Sequence, residues 1–157
     1  MQIRLAEPQD AEAIEALVRE VVSTLAYYTP EARRAEIGKY SGSALAEALD
    51  DRATLNLVAV GNGDLLGVIL NKEDDGLLWI NWFLTSPRAR RSGAARALIL
   101  ASMDHARERG LHKIWCDTRT ENVPSMTLLT QLGFVNRVRF DRHWFGQDFF
   151  LWERPLA

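Results

Sequence analysis

The segment LLWINWFLTSPRARRSGAARALIL, residues 77–100, constrains this chain more than any other. An apolar strand over 77–85 is ended by Pro87 and leads through a polar turn into a long Ala/Leu/Arg-rich helix over 93–109, stopped by Gly110. Another strand follows at 112–118. Two strands joined by a helical crossover are parallel neighbours in one sheet. The chain must therefore be a mixed α/β protein built around that pair.

The other elements arrange themselves about it. Residues 2–6 alternate polar and apolar, as a short first strand does. From Pro8, Ile14, Leu17, Val18, Val21 and Leu25 recur at helical spacing. Residues 27–42 read as a short polar helix broken by Pro30, Gly38 and Gly42, and residues 43–50 as a further helical piece capped by Ser43. Strands at 54–60 and 65–70 flank Asn62-Gly63, a tight hairpin turn, and a second turn at EDDG leads into the strand at 77–85. A helix over 124–132 ends at Gly133, and strands at 134–140 and 149–153 close the chain. The expectation is a central, mostly antiparallel sheet of six or seven strands with about four helices. Strands 4 and 5 form its parallel pair.

The turn between strand 4 and its helix is where chemistry is expected. Ser92, Gly93, Ala94 and Ala95 leave the first helical N–H groups uncovered, and those groups have no intrahelical partner. With the helix dipole they make an anion site. Arg88, Arg90, Arg91 and Arg96 surround it, four cations in nine residues, which suits a polyanion such as a pyrophosphate. No Gly-x-x-x-x-Gly-Lys or Gly-x-Gly-x-x-Gly stretch supports a P-loop or a Rossmann site.

Composition excludes several classes. The net charge of −2 and the pI near 5.9 argue against a nucleic-acid partner. One cysteine, Cys116, permits no internal disulfide; it reads as a small core residue. His105 and His112 have no partner at metal-ligand spacing, so no metal site is expected. No apolar run approaches the roughly 18 residues of a membrane span, and the N-terminus lacks a secretory pattern, which points to a cytoplasmic protein with no membrane partner. Charge is uneven: residues 1–87 hold 14 acids and 7 bases, residues 88–157 hold 7 acids and 12 bases.

Three stretches together resemble the GNAT superfamily of acetyl-CoA-dependent N-acetyltransferases. IRLAEPQDAEAIEALV is similar to its opening strand and helix, FLTSPRARRSGAARALI to its pyrophosphate loop in the Arg-x-x-Gly-x-Ala form, and ENVPSMTLLTQLGF to its second cofactor segment. The resemblance implies the GNAT-type three-layer fold, with residues 1–157 as one N-acetyltransferase domain. It also implies acetyl-CoA as cofactor and a primary amine as acceptor, on a small molecule or at a peptide N-terminus. By the same resemblance, backbone groups of Phe83, Leu84 and Thr85 hold the pantetheine arm where strands 4 and 5 splay. Those near Leu84 and Thr85 also stabilise the oxyanion. Arg90, Arg91, Ser92, Gly93, Ala94, Ala95 and Arg96 hold the pyrophosphate, and Asn122 lies near the thiol. Dimers are common in the superfamily, so a homodimer is an open alternative.

The chain departs from the family where catalysis is concerned. Many members carry a tyrosine, the general acid, where this chain has Leu129. A subset similar to the N-terminal acetyltransferases of ribosomal proteins reads Asn-x-x-Ser, here Asn122-Val-Pro-Ser125, and ends with Gly-x-x-Asp, here a tighter Gly146-Gln147-Asp148. Ser125 is thus the candidate partner of the leaving thiolate. Strand alternation puts Trp79, Asn81 and Phe83 on one face of strand 4 and Leu78, Ile80, Trp82 and Leu84 on the other. Neither face has a carboxylate, so Asn81 serves at most to hold a water, and the general base is sought among Asp148, Glu153 and His143. Tyr27, Tyr28, Trp79 and Trp144 are candidate acceptor-binding aromatics, suited to a cation. The absent acid and base leave one alternative, a catalytically silent acyl-CoA-binding module of the same fold.

Overall fold

The computed structural model describes residues 1–51 and 53–156. Its centre is a seven-stranded sheet in the order β1-β2-β3-β4-β5-β7-β6. The strands are β1 (Gln2–Leu5), β2 (Thr54–Gly61), β3 (Asp64–Asp74), β4 (Leu77–Thr85), β5 (Lys113–Arg119), β6 (Val135–Phe140) and β7 (Phe149–Pro155). Every pairing is antiparallel except β4 with β5, the pair that the crossover demands.

Among the described residues five α-helices cover the sheet, each at one of the helical stretches of the sequence: α1 (Ala11–Thr24), α2 (Pro30–Lys39), α3 (Gly42–Asp50), α4 (Ala94–Glu108) and α5 (Val123–Gln131). Pro8 opens a short 3-10 turn, and α1 begins only after it. Helix α2 starts at Pro30, where the Thr29 hydroxyl accepts from the Ala32 N–H. Ser43 does not cap α3, because that helix already begins at Gly42, behind Ser41.

Two cores sandwich the sheet. On one side Leu98, Ile99, Met103 and Ala106 of α4 pack on Leu78, Ile80 and Ile114. On the other, Ile14, Leu17, Val18 and Val22 of α1 pack with Leu45, Leu49, Val58 and Val68. Helical spacing on α1 and α4 and alternation along β2 and β3 produce these faces directly.

Strand β4 breaks its own alternation. Ile80 lies opposite Asn71 of β3 and Trp82 opposite Leu70, so Asn81 is an extra residue, a β-bulge. Beyond the bulge the faces are exchanged. Phe83 joins the α4-side core with Leu78 and Ile80, while Trp82 and Leu84 join the α1-side core. The expected placement of Trp82 with Leu78 and Ile80 is therefore corrected: Trp82 stacks on Tyr40 at a centroid separation of 4.4 Å. The β4–β5 ladder also stops here, its last pair being Ile80 with Cys116.

Gly67 lets β3 approach the far end of β4. A Cβ there would lie 2.9 Å from the Leu84 carbonyl oxygen, 3.0 Å from Thr85 Cγ2 and 3.3 Å from Leu98 Cδ1. Gly67→Ala is expected to destabilise the fold by about 1–3 kcal/mol, read as a lowered midpoint in urea or heat.

Candidate active site

The site grows out of the place where β4 leaves β5. The Ser86 N–H donates to Leu66 O of β3, so by alternation Leu84 also points its backbone at β3, and Phe83 and Thr85 turn theirs to the opening gap. A cavity of about 520 Å³ follows that gap, lined by Phe83, Leu84, Thr85, Arg90, Arg91, Ala95, Asn122 and Ser125 together with Tyr27 and Tyr28. The candidate cofactor residues among them, Phe83 to Ala95 and Asn122, stand in two distant stretches of the sequence, and the fold brings them to one wall.

The loop before α4 is shaped for an anion. Arg91 (φ 64°) and Gly93 (φ 83°) both take the left-handed conformation, which turns successive N–H groups outward. The Ser92 N–H donates to Ala89 O, and the Ala94 N–H to Ser92 Oγ. The N–H groups of Ala95 and Arg96 lie in the first turn of α4 and have no acceptor within the helix. A Cβ on Gly93 would meet nothing within 4 Å. A pyrophosphate fits this cradle: unpaired amides, open space at the glycine and arginines around it.

Asn122 caps α5, its Oδ1 accepting from the Ser125 N–H at 3.3 Å. That bond aims the start of α5 at the gap. Ser125 lines both the large cavity and a small one of about 60 Å³ that also touches Tyr28, Asn81, Asp117, Arg119 and Asn122. Leu129, by contrast, is fully buried in the α4-side core and has no place at the gap.

A further cavity, about 410 Å³, opens on the α2 side of the same throat. Trp79, Trp82, Tyr40, Trp144, Phe145 and Phe149 form its walls, and Glu36 and Asp117 are its carboxyls. Trp79 and Trp144 thus lie here, whereas Tyr27 and Tyr28 line the cofactor-side cavity. Asn81, Trp82, Asp117, Arg119 and Phe149 border both this cavity and the small one, so the throat runs between them.

Asp117 and Glu36 are the residues that sequence reasoning missed. Burial pushes the Asp117 carboxyl up to about 7, helped by the charge of Glu36 and opposed by Arg119 and Lys39. Burial likewise raises Glu36, whose Oε2 is buried with no hydrogen-bond partner. The signal for Asp117 was its place on β5: Trp115, Asp117 and Arg119 share one face of a strand whose other face, Ile114 and Cys116, is core. Nothing in the pattern of α2 distinguishes Glu36 from a solvated acid.

The three base candidates read from the sequence are corrected, because each is committed elsewhere. Asp148 accepts from Arg139 Nη2 and from the Arg142 N–H, fixing the β6–β7 turn. Glu153 accepts from Trp115 Nε1, Lys113 and Arg137, and these partners hold its carboxyl down at about 2. His143 stacks on Phe140, meets Trp144 edge-on and borders neither of the two cavities that the throat joins. Cys116 is buried, and burial pushes its thiol up, so it is no nucleophile.

Gln147 ties the throat together. Its Oε1 accepts from Arg119 Nε at 2.9 Å and its Nε2 donates to Tyr27 O at 2.5 Å, joining the β6–β7 turn to the α1–α2 loop. The Arg119 guanidinium lies over the Tyr28 ring at 3.8 Å, and its Nη2 is buried without a partner. A separate depression of about 540 Å³ bordered by β1, α3 and β2 has its Glu73 already paired with Arg109 and His105.

Comparison with known proteins agrees with this geometry. The sequence matches the profile of the Acetyltransferase (GNAT) family over residues 18–134. Comparison with curated proteins finds no significant match. The fold is similar to that of the PaiA N-acetyltransferase of Thermoplasma acidophilum, solved in complex with coenzyme A (TM-score 0.86, 20% identity, 98% of each chain). It is also similar to the ribosomal-protein-alanine N-acetyltransferase of Brucella melitensis (TM-score 0.82, 19% identity, 99% of this chain and 100% of that one). A third similar structure is the ribosomal-protein-S18-alanine N-acetyltransferase of Escherichia coli (TM-score 0.78, 19% identity, 99% of this chain and 94% of that one).

Gly93→Val is expected to weaken coenzyme A binding at least about tenfold in calorimetry. It strains a left-handed residue and fills the open cradle.

Proposed function

The chain belongs to the GNAT acetyltransferase family, and from that premise we propose that it transfers acetyl from acetyl-CoA to a primary amine with Asp117 as general base. The observation that carries this reading is the throat, where the buried Asp117 carboxyl, pushed up by burial, stands between the cavity at the β4–β5 splay and an aromatic cavity.

Acetyl-CoA supplies the acetyl group already activated as a thioester. Residues of this chain do the rest. The Arg91–Arg96 loop holds the pyrophosphate, and the free backbone groups of Phe83 and Thr85 pair with the amide-rich pantetheine arm. An acceptor enters from the aromatic cavity as an ammonium ion. Asp117, ionised above pH 7, takes its proton and leaves a nucleophilic amine in the throat. The nitrogen then bonds to the acetyl carbon as the carbon–sulfur bond breaks, and the second proton shed by the acylated nitrogen ends on the departing sulfur, giving the free thiol. A splay N–H that the pantetheine arm leaves unpaired is a fixed donor for the negative charge that develops on the carbonyl oxygen; the Leu84 N–H, turned to β3, is not available for it.

The leaving sulfur departs as a thiolate, with a free thiol pKa near 8.5, and needs only a hydrogen-bond donor. Ser125 fills that role. Ser125 borders the small cavity of the throat, and Tyr28 borders it too. This arrangement stands in for the acid that Leu129 does not provide. Asn81, the bulged residue, borders the throat and can hold a water beside Asp117.

Asp117→Asn is expected to lower kcat/KM by a factor of about 10² to 10⁴. In the parent enzyme kcat/KM should rise with pH through an apparent pKa near 7, because only the ionised carboxylate accepts the proton. A limb at pH 7 that survives in the Asn variant would exclude Asp117 as the base. Ser125→Ala should lower kcat while leaving coenzyme A affinity within about twofold.

A further inference from the structure

The throat contains more unpaired polar groups than proton abstraction needs. Arg119 is 8% exposed, yet its Nη2 has no partner, and Glu36 Oε2 is likewise buried and unpaired. Among the described residues, neither Glu36 nor Asp117 takes part in an ion pair. The cations nearby are occupied otherwise. Lys39 is exposed with its Nζ over the Tyr40 ring, and Arg119 is pinned between Tyr28 and Gln147. A buried donor or acceptor left unmade is costly, which leaves these atoms ready for complementary groups on a ligand.

The three groups specify that ligand's polar atoms. Asp117 takes an ammonium proton, Arg119 Nη2 needs an acceptor, and Glu36 Oε2 needs a donor. Asp117 and Arg119 are two residues apart on the same face of β5 and both border the throat, whereas Glu36 borders only the outer cavity. The acceptor's oxygen therefore lies close to its reacting nitrogen, and its further donor lies outward, toward α2.

An aliphatic diamine supplies donors only and leaves Arg119 unpaired. A free α-amino acid supplies the oxygen but no outward N–H. An α-amino amide supplies all three in order: amine, carbonyl oxygen three bonds away, then amide N–H.

We infer that the acceptor is an α-amino amide, the first residue of a peptide, with Arg119 Nη2 donating to its carbonyl oxygen and Glu36 accepting its amide N–H. The inference rests on the acetyl-transfer reading above. The α-amine is also the acceptor whose pKa, near 8, lies closest to that of the base, whereas a lysine-like amine near 10.4 gives up its proton less readily. The aromatic walls at Trp79, Trp144 and Phe145 then meet the first side chain and the chain beyond it.

The test is thiol release at saturating acetyl-CoA, comparing alaninamide with 2-aminopropane, 1,4-diaminobutane and free alanine at equal concentrations of free amine. Alaninamide is expected to exceed 2-aminopropane in kcat/KM by about 10- to 100-fold, the range of a charge-assisted hydrogen bond. Free alanine should fall below alaninamide. In Arg119→Lys, which keeps the charge but loses Nη2, the ratio of alaninamide to 2-aminopropane should drop to within about threefold of 1 through KM. In Glu36→Ala, the second variant, the ratio of alaninamide to alanine should collapse.

A parent ratio near 1, a preference for the diamine, or variants that slow all amines by one factor would overturn the inference and leave acetyl transfer standing. Coenzyme A binding with no thiol release from any amine would overturn both.

Discussion

One backbone irregularity governs this molecule: the extra residue Asn81 in β4. A parallel strand pair satisfies its backbone groups by staying in register, and β4 and β5 do so through Ile80 and Cys116. The bulge re-aims β4 after that pair, so Phe83 and Thr85 face a gap rather than a neighbour. Behind it, Asn71 of β3 is locked by bonds from its Nδ2 to Leu55 O and to Ser102 Oγ of α4. Its own N–H donates to the Asn56 side chain. A buried polar chain is thus placed where the ladder changes register, and the same helix α4 carries the anion loop at its start. Gap, loop and bulge are held by one set of contacts.

The throat is bought with stability. Asp117 has an ordinary carboxylate pKa near 3.8 unfolded and about 7 folded. Between those values the folded state binds the extra proton, so stability from this group falls as pH rises through that window, and above pH 7 the penalty is complete. Replacing Asp117 by an apolar residue would remove the penalty and the base together. Arg119 shows the same compromise from the other side: its ring contacts with Tyr28 and Phe149 and its bond to Gln147 hold a buried cation in place without neutralising it. A buried charge left unneutralised is costly, and here it stands where a reacting group arrives.

How much of this was legible in the sequence follows from the range of each signal. The anion loop and α4 are local, written in consecutive small residues and arginines, and the parallel pair follows from the crossover. The exchange of faces in β4 was not legible, since a bulge depends on the partner strand; period-2 alternation places Trp82 wrongly once one residue is extra. The base was missed for a related reason. Strand β4 has no carboxylate, but at the splay the neighbour β5 presents its side chains to the same throat, and Asp117, the proposed base, comes from there. Glu36 needed tertiary burial to distinguish it from the other acids of α2. Asp148 and Glu153 are distinguished from candidate bases only by their partners, Arg139 for the first and Lys113, Trp115 and Arg137 for the second, which the sequence does not pair with them.

The uneven charge of the two halves must be divided in the same way. Arg90 and Arg91 border the cavity at the splay and Arg96 lies in the first turn of α4, so part of the basic surplus of residues 88–157 is gathered at the proposed anion loop. The acidic surplus of residues 1–87 is not gathered in this way. Among the described residues of that half, Glu36 is the one carboxylate that borders the aromatic cavity, while Asp10 pairs with Arg4, Glu15 with Arg19 and Glu73 with Arg109. The decisive negative group, Asp117, belongs to the basic half. Exposed surface charges are screened within about 8–10 Å at physiological salt, so a diffuse acidic half can only bias the approach of a cationic amine. Selection at the throat depends on carboxyls that are few, buried and unpaired, because desolvation makes their electrostatics strong at short range.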